Sequence, residues 1–353
     1  MSDVRVYYSD LFKLHRDELG THPESPERLN YVLEGIKDAG INHVKSCEPD
    51  YTVDKALKLL SRVHSTDYIS YISSESAKGP HYIDSDTYVN NHTFRVASLA
   101  FITSYEASLK AFKSNAMSVA IVRPPGHHAG RKGKALGAPT NGFCIFNNCA
   151  AAVLGFKDCS VSRILVIDFD AHHGNGTQEI FWYDRNVVHI DIHEHGIYPG
   201  TGELSDLGGG DAVGSKINIP VPPFSDDSVV AWVLSDVIGH VVSKFLPEAI
   251  VVSAGFDGHE LDPLTNLEYT DIAYALVGYF LRYLLSNYEI KGITVVLEGG
   301  YSVGLRTGIA ELLKSFLRYD RKYGRLLEKL RRDCKERYAL LINDVLSIIK
   351  RYW

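Results

Sequence analysis

The chain reads as α/β, with a mainly parallel central sheet flanked by helices on both faces. Two observations predict this. Short runs of β-branched and aliphatic residues recur, several of them apolar at every position, as strands covered on both faces must be. Between many of them lie longer segments with apolar residues at helical spacing. The strand-like runs are residues 4–8, 118–122, 163–168, 187–192, 217–219, 249–253 and 292–297. Ser25-Pro26-Glu27-Arg28-Leu29 opens a first helix, with Ser25 as N-cap and Pro26 at the first helical position. Leu29, Val32, Leu33 and Ile36 repeat at helical spacing, and Gly40 closes it. Residues 94–112 read as a second helix. Residues 228–245 read as another, with Asp227 at its start and Pro247 after its end. Residues 270–285 follow, capped by Thr270.

Length and composition narrow the class. A chain of 353 residues is long for one domain but suits a single α/β unit. A net charge of -6 gives no global case for nucleic-acid binding. Cys47, Cys144, Cys149, Cys159 and Cys334 are scattered without a C-x-x-C pair. That argues against a disulfide framework or a Cys-based zinc site and fits a reducing compartment. Residues 1–6 carry no apolar signal core. No uninterrupted apolar stretch approaches the ~20 residues that span a bilayer. The expectation is a soluble cytoplasmic protein with neither membrane nor nucleic acid as partner. The tail differs: residues 311–353 hold twelve Lys/Arg and six Asp/Glu, so they carry +6 while the remainder carries -12. Apolar stripes through Leu326, Leu327, Leu330, Leu340, Leu341, Val345 and Ile349 predict helices. This basic amphipathic extension is expected to pack on the main unit or against a neighbouring subunit of a homo-oligomer, with an acidic docking partner as the alternative.

Asp168-Phe169-Asp170-Ala171-His172-His173-Gly174-Asn175-Gly176-Thr177 follows the apolar strand Ile164-Leu165-Val166-Ile167. Carboxylates and imidazoles crowded at the end of a core strand are costly unless a cation compensates them. Oxygen and nitrogen donors without Cys suit zinc or another borderline metal. Asp170 and His172, at i and i+2, share one side of an extended segment. Ligands of a parallel sheet bind beyond the carboxyl ends of its strands, and the polar motifs obey that rule. Residues 118–122 lead into Arg123-Pro124-Pro125-Gly126-His127-His128. The strand over 187–190 leads into Asp191 and His193, then Tyr198-Pro199-Gly200-Thr201-Gly202. Residues 249–253 lead into Gly255-Phe256-Asp257, and 293–296 into Leu297-Glu298-Gly299-Gly300-Tyr301. Asp170, His172 and Asp257 would make a three-ligand metal site with open positions. His127 and His128 offer a general base, with Asp168 and Asn175 available to orient them. Tyr301, after Gly-Gly, can swing its hydroxyl onto a developing oxyanion.

Residues 123–129, Asn141-Gly142-Phe143-Cys144, residues 168–178, Tyr198–Gly202, Gly255-Phe256-Asp257 and Leu297–Tyr301 resemble the motifs of the zinc-dependent histone deacetylase family, in the class II form. That form includes bacterial and archaeal deacetylases and acetylpolyamine amidohydrolases. His22-Pro23-Glu24-Ser25-Pro26-Glu27-Arg28-Leu29 and Asp86-Thr87-Tyr88-Val89 extend the likeness. The resemblance implies the single-domain arginase–deacetylase fold, with a catalytic domain over 1–310 and the extension over 311–353. It implies one Zn2+ per chain at Asp170, His172 and Asp257. It implies His127–Asp168 and His128–Asn175 pairs, with His128 as proton shuttle and Tyr301 on the scissile carbonyl. Phe143 and Tyr198 would flank a narrow tunnel, the Gly142 carbonyl would receive the substrate amide, and Asp86 would grip substrate at the rim. A monovalent cation, K+, is implied beside Asp168, Asp170 and His172. Asp191 stands where many relatives carry Ser. Residues 130–140 look longer and more basic than usual.

The implied reaction removes acetyl, or another short acyl group, from an amine such as acyl-lysine by attack of zinc-bound water. The alternative substrate is an acetylated polyamine or other small amide. Leu264, where polyamine-selective relatives can carry Glu, favours acyl-lysine or a neutral amide. A binuclear ureohydrolase would need further carboxylates where Gly174 and His259 stand. A binding module without turnover is the non-enzymatic reading, set against the full complement of site residues.

Overall fold

The structure, a computed structural model, describes residues 4–42, 45–46 and 51–353. Residues 1–3 of the N-terminus and Cys47 lie outside the described residues. The other four cysteines are free thiols. The strands of the main sheet are β1 (Val4–Tyr8), β2 (Lys45–Ser46), β3 (Met117–Ala120), β4 (Ile164–Asp168), β5 (Val187–Glu194), β6 (Lys216–Val221), β7 (Ala249–Ala254) and β8 (Ile293–Leu297). They pair in the order β6-β5-β4-β7-β8-β3-β1-β2, every pair parallel. β3, β4, β5, β7 and β8 are buried at every position. Only strands covered on both faces tolerate that pattern.

The helices are α1 (Arg28–Asp38), α2 (Val53–Leu60), α3 (Thr66–Ala77), α4 (Thr93–Ser114), α5 (Asn148–Asp158), α6 (Asn175–Ile180), α7 (Asp227–Trp232), α8 (Gly239–Phe245), α9 (Asp271–Asn287), α10 (Gly304–Arg318), α11 (Arg321–Arg337) and α12 (Ala339–Tyr352). α4 and α5 pack on each other and on the sheet centre. α1, α10, α9, α7 and α11 pack in succession as the opposing layer.

The differences from the sequence reading lie at element ends. α1 begins at Arg28, not Ser25. The Ser25 carbonyl, rather than its side chain, accepts from the Arg28 N–H, so Ser25–Glu27 form a tight lead-in turn. The helix over 228–245 is interrupted by a π turn at Val233–Ile238 that joins α7 to α8. This composite, Asp227–Phe245, has the length and apolar composition of a membrane span, and most of it is buried inside the protein. α2, α6 and the small hairpins His81–Tyr82/Tyr88–Val89 and Ala129–Gly130/Gly133–Lys134 were too short for their period to stand out, while α3 and α5, as long as α1, were passed over; α5 is buried along almost its whole length, so no apolar stripe marks it.

The tail is docked on the main body. α11 buries Tyr323, Leu327 and Cys334 against α7 and α9. Arg331 forks onto Asp236 at 2.6 and 2.7 Å, and Arg337 pairs with Asp226, the side chain that caps α7. α12 buries Ile342, Val345 and Ile349, and the Trp353 indole donates to the Gly214 carbonyl at 2.9 Å. The position 310, expected as a boundary, falls within α10.

Candidate active site

Parallel register brings the strand ends to one rim. Asp168 at the end of β4 lies opposite Asp191 of β5 and Ser253 of β7, and Ala254 opposite Leu297 of β8. The loops leaving β4, β7 and β8 therefore converge. His172 Nδ1 lies 2.8 Å from Asp257 Oδ2 and 3.3 Å from Asp170 Oδ1. Each acid is itself aimed: Asp257 Oδ1 accepts from Ala171 N–H, and Asp170 Oδ2 from Gly299 N–H. Both carboxylates are buried. Burial raises the Asp257 carboxyl, and the neighbouring Asp170 charge raises it further. Burial disfavours the His172 imidazolium, but hydrogen bonds to Asp170 and Asp257 outweigh it and hold the pKa up at about 10. The two acids thus draw positive charge to the point between them, which the His172 proton supplies in the absence of a cation. The cluster's donor set, two carboxylates and one imidazole, fits a borderline divalent ion such as zinc.

The tandem histidines are oriented separately. His127 Nδ1 is 3.2 Å from Asp168 Oδ2. Burial opposes the His127 imidazolium, yet the Asp170 and Asp168 charges prevail and raise its pKa well above the ordinary value. His128 Nδ1 donates to Asn175 Oδ1 at 2.8 Å, while the Asn175 amide donates to the Ala135 carbonyl. That pairing assigns the amide orientation and leaves His128 Nε2 as an acceptor. Burial, then the charges of His127 and His172, push the His128 pKa well below the ordinary value. Two adjacent imidazoles are driven apart, one towards the cation and one towards the free base.

A cavity of about 250 Å³ reaches this cluster, lined in part by His128, Gly142, Phe143, Tyr198, Leu264 and Tyr301. The Tyr198 ring stands edge-on to His128 at 4.9 Å, and Phe143 edge-on to Tyr301 at 5.7 Å. Gly142 has φ +55°, and a Cβ there would fall 2.5 Å from His128 Cδ2. Only glycine keeps the wall this close. Asp86 lines the mouth, with one oxygen accepting from Thr87 and the other from Thr140. Leu264 is 38% exposed at the same edge.

Some residues of the site carried no role in the sequence reading. Asp262, two residues before the singled-out Leu264, accepts from the backbone N–H of Tyr301 at 2.7 Å. Glu298 accepts from the N–H groups of Gly126 and His127, fixing the histidine turn, and burial pushes its carboxyl up to about 7. Arg28 donates to the Gly300 and Glu298 carbonyls and lies 4.6 Å from the Tyr301 ring centre. Glu24 braces Arg28 at 3.3 Å and Arg123 at 2.6 Å. Glu24, Arg28, Arg123 and Glu298 all stood in quoted motifs, but pairing across some hundred residues is invisible to spacing. Cys144 and Pro125 also line the cavity.

A parallel α/β sheet with an acid–imidazole–acid cluster, paired histidines and a tyrosine lining one cavity presents a candidate hydrolase site around a candidate metal centre. The chain belongs to the histone deacetylase family: the Histone deacetylase domain matches residues 22–317. It is 35% identical over 364 residues to a probable deacetylase of Archaeoglobus fulgidus, covering 99% of this chain and 98% of the relative. An uncharacterised protein of Methanocaldococcus jannaschii is 43% identical over 285 residues, 81% of this chain and 79% of that one. The solved HDA15 HD domain superposes with a TM-score of 0.79 at 28% identity, covering 98% of this chain and 99% of that one.

Proposed function

We propose that this deacetylase is zinc-dependent and removes acetyl or another short acyl group from an acylated amine of the acyl-lysine type. The observation that carries the reading is the convergence of Asp170, His172, His128 and Tyr301 on one cavity, with Asp257 grouped against Asp170 and His172. Zinc held by Asp170, His172 and Asp257 would supply a Lewis acid that lowers the pKa of water and polarises the acyl carbonyl.

The side chains account for the remaining steps. Phe143 and Tyr198 flank an extended aliphatic stem, and the Gly142 carbonyl accepts from the scissile amide N–H. Tyr301 donates to the acyl oxygen; burial and nearby carboxylates raise its pKa, so its proton stays in place for that role. His128 Nε2 takes the proton of the attacking water and returns it to the departing amine. His127, held as a cation against Asp168, stabilises negative charge as it develops. The products are a carboxylate and a free amine. Asp86, with spare lone pairs on both oxygens, faces the mouth where substrate amides pass.

A hydrolysis panel crossing acyl length with amine scaffold tests this, run on metal-stripped protein reloaded with zinc, cobalt or iron. Turnover of an acetyl-lysine peptide that is lost on stripping and restored by metal is expected. Protein that stays inert across the panel, or turns over equally well when stripped, overturns the reading. A marked preference for acetylspermidine would move the substrate to polyamines.

A further inference from the structure

The loop over residues 130–140 ties back to the tandem histidines. Asn175 and Glu179 stand four apart on α6 and so share one face. Both reach the same stretch of loop. Asn175 Nδ2 donates to the Ala135 carbonyl at 2.9 Å while its Oδ1 accepts from His128. Glu179 Oε1 accepts from the Arg131 N–H at 3.0 Å, and Oε2 from the Leu136 N–H at 3.2 Å. A Cβ at Gly130 would fall 2.4 Å from Glu179 Oε1, so the backbone runs directly against the carboxylate.

The loop needs that hold. The Ala135 carbonyl also accepts from the Ala138 N–H at 3.0 Å, which closes a four-residue turn. Its central residues, Leu136 and Gly137, have φ +52° and +80°, the signs of a type I′ turn. Gly137 suits that geometry. Leu136 does not, because a side chain in the left-handed region costs about 1–2 kcal/mol. Leu136 is 39% exposed, so packing offsets little of that cost. The bond from its N–H to Glu179 supplies the offset.

We propose that Glu179 is a positioning residue: by holding this turn it aims the Ala135 carbonyl at Asn175, fixes the Asn175 amide, and so keeps the proton on His128 Nδ1 and the lone pair on Nε2. The inference rests on the reading of His128 as the base. The carbonyl is what tells the two ends of the amide apart, since only Nδ2 can face it and only Oδ1 is then left for the ring. Without it, Asn175 can turn over and offer Nδ2 to His128 Nδ1. The ring proton then belongs on Nε2, and the attacking water loses its acceptor. The same carbonyl accounts for an amide rather than an acid here, because Asn175→Asp would set oxygen against oxygen.

The test uses the full chain, reloaded with zinc and carrying isotope-labelled histidine nitrogens; the His128 resonances, among 15 histidines, are found by their loss in H128Q. Wild type is expected to show a protonated Nδ1 and a bare Nε2 at His128. E179A should shift that pattern towards a protonated Nε2. It should also lower kcat on an acetyl-lysine peptide about 10-fold, with KM and metal content unchanged. E179Q, which keeps one acceptor oxygen, should fall between the two. L136N makes the central pair of the turn Asn-Gly, the pair type I′ turns favour, and should restore much of the loss when added to E179A. In N175A, which has no amide to orient, adding E179A should cost nothing further. His128 resonances identical in wild type, E179A and E179Q overturn the proposal. So does an E179A loss of equal size in the N175A background, which would make Glu179 merely structural. The resonances are read without substrate. A protein that hydrolyses nothing yet shows the Glu179-dependent shift therefore sinks only the hydrolase reading, and an active enzyme whose His128 pattern ignores Glu179 sinks only this inference.

Discussion

Two groups of buried charges share the rim and follow opposite rules. Around Glu24, cations and anions are matched: the carboxylate accepts from Arg123 and Tyr88 and is braced by Arg28, all of them buried. Around Asp170, four buried carboxylates, those of Asp168, Asp170, Asp191 and Asp257, gather around imidazoles and backbone N–H groups, with no Arg or Lys ion pair to them among the described residues. A matched set needs nothing from solution and serves as scaffold. An acid-rich set stores repulsion that an ion would relieve, and that excess singles out the candidate site.

Breaking the matched set should have the largest effect. Arg123→Met leaves Glu24 buried without its main counter-charge, an expected loss of about 3–5 kcal/mol in denaturant unfolding. Adding Glu24→Gln should recover part of it. A double variant as unstable as the single would mean that packing, not charge, is at stake. Burial raises the Glu24 carboxyl, but Arg123 lowers it more, so its folded pKa lies below the ordinary 4.5. The sign follows: the ion pair's contribution is present above pH 4.5 and is lost as acid carries the pH through the lower folded value. The stability gap between wild type and Arg123→Met should therefore narrow below pH 4.5.

The two groups also differ in how far the sequence revealed them. Asp170, His172 and Asp257 were legible because strand ends in a parallel sheet must converge and because acids beside a core strand demand a counter-ion. His128 and Asn175 were legible as available partners. The Glu24–Arg123–Arg28 network was not, since nothing local distinguishes a buried arginine from a solvated one. The sheet was readable from its apolar runs. The π turn was not, because an interruption of one turn falls below the resolution of a periodicity argument, and α5 was not, because a helix buried nearly all round shows no stripe.

On the chemical side, Tyr301→Phe sharpens the contrast, since it removes a donor without touching a carboxylate. It should lower kcat about 100-fold with metal content unchanged. Undiminished turnover would take the Tyr301 hydroxyl out of the reaction. Metal removal probes the stored repulsion directly. An ion present at a hundredfold excess over its Kd stabilises by about 2.7 kcal/mol, so stripped protein should melt measurably lower than reloaded protein. Arg123→Met should show the same increment, because the matched network takes no part in binding the ion.

The smallest effect belongs to the tail, where charge is plentiful but partly solvated. Arg331 is 29% exposed and forks onto Asp236, with Glu328 beside it. Such a pair is worth up to about 1 kcal/mol, and less as salt is added. Arg331→Ala should therefore leave the tail docked, with thermal stability lowered slightly and the difference shrinking in high salt. Leu327, buried on the same helix, should cost about 2–5 kcal/mol on change to Ala. If Arg331→Ala instead released the tail to proteolysis, its basic residues would be acting as the latch, and the rule separating matched charge from surface charge would fail where it is easiest to test.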